Sequence, residues 1–226
     1  MPRRVRCSDG DYVYHVLNRA VGRATLFRKS GDYLAFEKIL GEGWEKFGIG
    51  VLSYLVMPNH WHLVVRPDED GALSRYIQWI TVTHVRRWHA QHHTGGTGPI
   101  YQGRFKSFPI QDDEHFLTVC RYVERNALRA NLVRQAQNWR WSSLWHRQHH
   151  TNVPWLSPWP IPIPSGWTAG VNRAENEREL MALLRSVVRG APFGEELWQQ
   201  RTALALGLQS ALRPRGRPRK EPMKQT

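Results

Sequence analysis

The run Met57-Pro58-Asn59-His60-Trp61-His62-Leu63-Val64-Val65-Arg66 constrains this chain more than any other stretch. Alternate residues of a strand face the same side of a sheet, so His60 and His62 share one face while Trp61 packs behind them. Two imidazoles on one face suit a divalent cation, and a third ligand has to come from elsewhere in the chain. An ordinary pair of partly buried histidines would leave the same pattern, and the rest of the sequence has to decide between them.

Charge narrows the choice of partner. Among 226 residues there are 32 Lys and Arg against 19 Asp and Glu, a formal net charge of +13. Such a surface steers polyanions toward it, and the dominance of arginine leans toward planar, bidentate contacts with phosphates or bases. Cys7 and Cys120 lack zinc-ligand spacing, so a reduced, cytoplasmic and nucleoid-associated protein is expected. The basic amino terminus is followed by no apolar run, and no stretch reaches the roughly eighteen apolar residues of a membrane span, so no membrane partner is expected.

Periodicity sets the order of elements. Residues 12–19 read as a strand ending in Asn18 and Arg19, residues 30–47 as a helix capped by Ser30 and stopped by Gly48, and residues 49–57 and 60–66 as two strands joined at Pro58-Asn59. A second helix follows over 71–89, then an edge strand over 101–110 carrying Arg104 and Lys106. The order β-α-β-β-α-β predicts an α+β, ferredoxin-like core, with helices on one face of the sheet and the other face left for a ligand or another chain. A further helix over 115–129 places Phe116, Val119, Cys120, Val123 and Ala127 on an apolar stripe. Tyr122, Asn126 and Arg129 share a different strip, leaning toward solvent or a cleft.

Composition shifts near residue 151, which sets a core domain over 1–150. Residues 151–170 form a Pro/Trp-rich connector, extended and partly packed through Trp155 and Trp159. A helical region over 171–211 contains two short helices, and residues 212–226 form a basic tail. In that tail Pro214-Arg215-Gly216-Arg217-Pro218 looks like the core of an AT-hook, in which Arg215 and Arg217 enter a narrow minor groove. Trp139, Trp141 and Trp145 suit packing of the segment after the last core helix better than base stacking.

Taken together, these motifs resemble a known family. His60-Trp61-His62 after Met57-Pro58-Asn59 looks like the histidine-hydrophobic-histidine motif of the IS200-like single-tyrosine (HUH) transposases, and Tyr122-Val-Glu-Arg-Asn126 looks like their nucleophile helix. Tyr14-His-Val-Leu-Asn-Arg19 and Gln102-Gly-Arg-Phe-Lys-Ser107 resemble the flanking strand motifs. Asn at residue 126 places the likeness nearest the REP-associated tyrosine transposases. The resemblance implies that residues 1–150 are the catalytic domain of a transposase that cleaves hairpin-containing single-stranded DNA through a 5′-phosphotyrosine on Tyr122. It implies a divalent metal, Mg²⁺ or Mn²⁺, held by His60, His62 and Asn126, and no organic cofactor. Arg19, Arg104, Lys106, Arg125, Arg129, Arg215 and Arg217 are the expected DNA contacts, and monomer and homodimer are both compatible. Two other readings use part of the same evidence: a non-catalytic DNA-binding protein derived from a transposase, and a rolling-circle or relaxase-type nickase.

Overall fold

The structure, a computed structural model, describes residues 9–213. Its core runs β1 (Val13–Arg19), α1 (Ser30–Phe47), β2 (Val51–Met57), β3 (His60–Val65), α2 (Ala72–His92) and β4 (Lys106–Ile110). The four strands form one sheet in the order β2-β3-β1-β4, every neighbouring pair antiparallel. This is the expected ferredoxin-like arrangement: the crossover from β1 to β2 leaves one place that β3 fills, and the crossover from β3 to β4 passes over β1.

Alternation along the strands sorts the two faces. Tyr14, Val16, Tyr54, Val56, Trp61, Leu63 and Val65 point into one core with α1 and α2. The Asp32 carboxylate, not Ser30, caps α1, its Oδ2 accepting from the backbone N–H of Arg28 and Lys29 at 2.8 and 3.1 Å, and Gly48 ends that helix at φ 69°, a left-handed conformation that a side chain would strain.

The opposite face is not left open. Val13, Leu55, Val64 and Phe108 pack there against α3 (Glu114–Arg129) and residues of α6 (Glu177–Arg189). Periodicity identifies an apolar strip on an isolated helix but cannot say which layer it meets. The connector also packs against the sheet, its residues 155–157 lying alongside the start of β2: Val51 N–H donates to the Trp155 carbonyl at 2.9 Å, and Ser157 N–H donates to the Val51 carbonyl at 2.9 Å. Trp159 Nε1 donates to the Leu52 carbonyl at 2.6 Å. Beyond α3, the chain adds α4 (Ser143–Gln148), α5 (Trp167–Asn172), α7 (Glu196–Ala205) and α8 (Gln209–Leu212).

One expected strand is shorter than its sequence suggests. Residues 101–105 leave the ladder, with Tyr101 making an isolated bridge to Ala20, and regular pairing resumes at Lys106. The cause is Tyr101, drawn inward as Trp61 Nε1 donates to its hydroxyl at 2.9 Å, while that hydroxyl lies 2.7 Å from His84 Nδ1. His84 is buried and stacked on Phe27, and burial pushes its imidazole down to about 4.

A neutral His84 therefore favours the fold. Between about pH 4 and 6.5 the unfolded chain binds a proton at this histidine that the folded chain does not, so its stabilisation is complete above 6.5 and is lost as pH falls toward 4. Thermal unfolding should show a loss across that window on the order of 3 kcal/mol from His84 alone. In His84→Gln the pH dependence of Tm over the same range should be flatter than in the wild type.

Candidate active site

The site lies where β1, β3 and α3 meet. The register sets Leu17 opposite His62 and Arg19 opposite His60, and alternation turns both histidines toward α3. His62 Nδ1 lies 2.9 Å from Nε2 of His15, and the two rings stack at 5.1 Å between centroids. His60 Nδ1 lies 2.6 Å from Asn59 Oδ1, so the turn residue holds that ring. His62 Nε2 is buried with no hydrogen-bond partner.

These imidazoles are neutral. Burial pushes His15 down to about 3 and His60 to about 4, with Arg19 and Arg129 adding to the effect on His60. Burial also drives His62 well below its usual value, helped by His60, His15 and the two arginines. If His62 Nδ1–H donates to His15, the lone pair of His62 Nε2 is left free for a cation.

From α3, Tyr122 meets His62 edge to face at 5.8 Å between centroids and His15 at 6.1 Å. Its strip turns into a cleft rather than to solvent, and Tyr122 and Asn126 are both buried. The Arg129 guanidinium stands over the Tyr122 ring at 4.4 Å and donates to Asn126 Oδ1 at 2.6 Å, while Asn126 Nδ2 donates to the Tyr122 carbonyl at 2.9 Å. Asn126, expected to face a metal, has its amide engaged on both sides. Among the described residues no three histidine, cysteine or acidic side chains gather into a metal-binding group.

A cavity of about 400 Å³ opens beside Tyr122. Arg19, Arg104 and Lys106 line it with Tyr122, so three expected DNA contacts and the expected nucleophile share one space. Its far wall is Leu184, Val187 and Val188 of α6. Arg125 is not among the residues that line this cavity; it donates to the Val171 and Asn172 carbonyls at 2.9 and 2.7 Å and ties down the end of α5. Arg129 also reaches Glu175 at 3.2 Å. Arg215 and Arg217 lie outside the described residues.

Sequence reasoning passed over Glu124, between Tyr122 and Asn126, which is fully buried. Its Oε1 accepts from Ser143 Oγ at 2.6 Å, Arg147 Nη1 at 2.8 Å and Ser53 Oγ at 3.2 Å, and its Oε2 accepts from Trp167 Nε1 at 2.7 Å. A charged residue inside an apolar stripe is the signal that pointed to it. His15 was equally legible as a histidine in a strand, on the same face as Leu17 and Arg19.

The sequence profile of the family described as "Transposase IS200 like" matches residues 9–126, just over half of the chain and all of the elements that carry the histidines and Tyr122. The chain belongs to this family. Among solved structures, this IS200-like transposase is similar to a REP-associated tyrosine transposase bound to a REP hairpin. The two are 16% identical, the match covers 78% of this chain and 93% of that one, and the TM-score is 0.56, a likeness of fold. A putative transposase from Deinococcus radiodurans is also 16% identical, over 54% of this chain and 96% of that one, with a TM-score of 0.38. No curated protein matches the chain. Family membership supports a transposase-type DNA-processing function and, at family level, an enzyme. No helix among the described residues is long and apolar enough to cross a membrane.

Glu124 sets how α3 sits on the sheet, and so where Tyr122 points. Glu124→Ala leaves the Arg147 guanidinium without its carboxylate and should cost about 3–5 kcal/mol, read by chemical denaturation. Glu124→Gln keeps the shape and part of the hydrogen bonding, so its loss should be smaller.

Proposed function

We propose that this IS200-like transposase cleaves and rejoins hairpin-containing single-stranded DNA, with Tyr122 as the nucleophile. The observation that carries the reading is Tyr122 set edge-on to His62, beside a cavity that also holds Arg19, Arg104 and Lys106. A phosphodiester held in that cavity would have cationic side chains and the tyrosine around the same space, as strand binding followed by attack requires. Hairpin DNA as the partner is taken from the REP-associated relative named above, which was solved with a REP hairpin.

In this reading the Tyr122 oxygen forms a bond to phosphorus, the bond from phosphorus to the 3′ oxygen breaks, and the tyrosine proton ends on the released 3′-OH. The strand on the 5′-phosphate side stays on the protein. One phosphodiester is exchanged for another, so the later attack of a 3′-OH rejoins strands without nucleotide hydrolysis.

His60 and His62 would hold a divalent ion, Mg²⁺ or Mn²⁺. Their neutral imidazoles and the unpartnered His62 Nε2 fit that part. Such an ion, when bound, supplies charge that stabilises the phosphate oxygens during transfer. Asn126 Oδ1 accepts from Arg129 through one of its two lone pairs, so it can join the histidines through the other, or through both once Arg129 is released. Arg129 is itself suited to the phosphate once released, because guanidinium matches phosphate geometry.

The decisive experiment mixes the protein and Mg²⁺ with a single strand carrying the hairpin from DNA flanking its own gene. A covalent adduct that survives denaturation should form and map to Tyr122, and Tyr122→Phe should bind the strand but form none. Adduct on another residue, or persisting in Tyr122→Phe, overturns the assignment of the nucleophile. No adduct from the wild type on any such strand favours a transposase fold kept for DNA binding.

The metal assignment has its own measurement. Titration calorimetry with Mn²⁺ should show binding that His60→Ala and His62→Ala each weaken by at least about tenfold. Excess chelator should stop adduct formation, and full adduct yield in chelator would remove the metal from the mechanism.

A further inference from the structure

A second cavity, of about 710 Å³, lies between α2 and residues 99–105 and is not used by the chemistry above. It borders the first, since Asn18, Gly103 and Arg104 line both. Its size falls within the range of about 300–1,000 Å³ typical of small-molecule pockets. The walls at Val82, Ile100 and Phe105 are apolar, and Val82 is 42% exposed at the rim. Arg86 and Arg104 flank them, and among the described residues neither makes an ion pair.

Asn18 stands at the junction. It is buried, and its Oδ1 accepts from the Arg19 backbone N–H at 2.9 Å. That bond orients the amide, because only the oxygen can accept, and leaves Nδ2 buried with no partner. A buried donor left unmade between two cavities is suited to an acceptor that arrives with a ligand.

We propose that this cavity is a nucleobase pocket. It takes the base of one unpaired nucleotide next to the phosphodiester at Tyr122, with Asn18 Nδ2 donating to an acceptor on the base edge and the flanking arginines holding the adjoining phosphates. The proposal rests on the single-strand reading given above and adds to it a place where sequence is read. A flat aromatic base matches apolar walls, an amide donor at one end supplies discrimination, and cations at the mouth match the backbone that carries the base. A free apolar ligand would use the walls but not the arginines.

The test measures affinity rather than cutting. Full-length Tyr122→Phe protein with Mg²⁺ is titrated against a fluorescein-labelled single strand carrying the flanking hairpin, with one abasic site moved through each unpaired position. One position should stand out, with affinity falling about tenfold when its base is missing. Val82→Trp, a change at an exposed helix position that fills the cavity, should weaken the intact strand by a similar factor and abolish the abasic penalty at that position alone. Asn18→Ala should narrow the difference among the four bases there.

The outcomes separate the two claims. If the strand binds but abasic penalties are even along it, or Val82→Trp binds like its parent with the penalty intact, the pocket is overturned and the single-strand reading stands. If random duplex binds as tightly as the hairpin strand, the single-strand reading fails and takes the pocket with it.

Discussion

The buried carboxylate of Glu124 holds this architecture together at the point where function needs it rigid. A single turn of α3 carries Tyr122, Glu124 and Asn126, so whatever fixes the middle residue fixes its neighbours. Four donors reach Glu124 from β2, α4 and α5, which lie far apart in the chain. An ionised group in a low-dielectric interior tolerates little displacement, because each lost donor leaves charge unsolvated. The network therefore works as an angular stop that keeps one side of α3 on the histidines.

The same logic divides the arginines. Arg121 and Arg125 spend their guanidinium groups on backbone carbonyls at the end of α5, and Arg147 is paired with Glu124. A large positive net charge thus overstates what faces a polyanion. Arg19, Arg104 and Lys106 are different: they gather around the cavity beside Tyr122 and make no ion pair among the described residues. Arg129 lies between the two groups, held by Asn126 and Glu175 yet stacked on the tyrosine ring.

Burial gives the histidines their chemistry. An exposed imidazole would be partly protonated near neutrality, whereas His15, His60 and His62 stay neutral well below it. The Asn59 and His15 contacts hold the rings of His60 and His62 through Nδ1, which leaves the other nitrogen of each directed elsewhere. A strand pair with a two-residue turn, Pro58 and Asn59, brings Asn59, His60 and His62 within one hairpin, and β1 pairs beside it to add His15.

Sequence alone determined what short-range periodicity encodes. Alternation put His60 and His62 on one face with Trp61 behind, and helical spacing separated Tyr122, Asn126 and Arg129 from the apolar stripe. The β-α-β-β-α-β order led to the sheet that forms. Tertiary structure decided what each face meets. The supposedly open face of the sheet carries α3 and α6, Arg125 donates to backbone carbonyls at the end of α5, and Tyr101 leaves its strand for Trp61 and His84. It also recruited His15, Glu124 and the α6 wall, which no local pattern had assigned to the site. The physical reason is that a residue's neighbours along a strand or helix follow from backbone geometry, whereas its partners across the core depend on packing between segments that are distant in the chain.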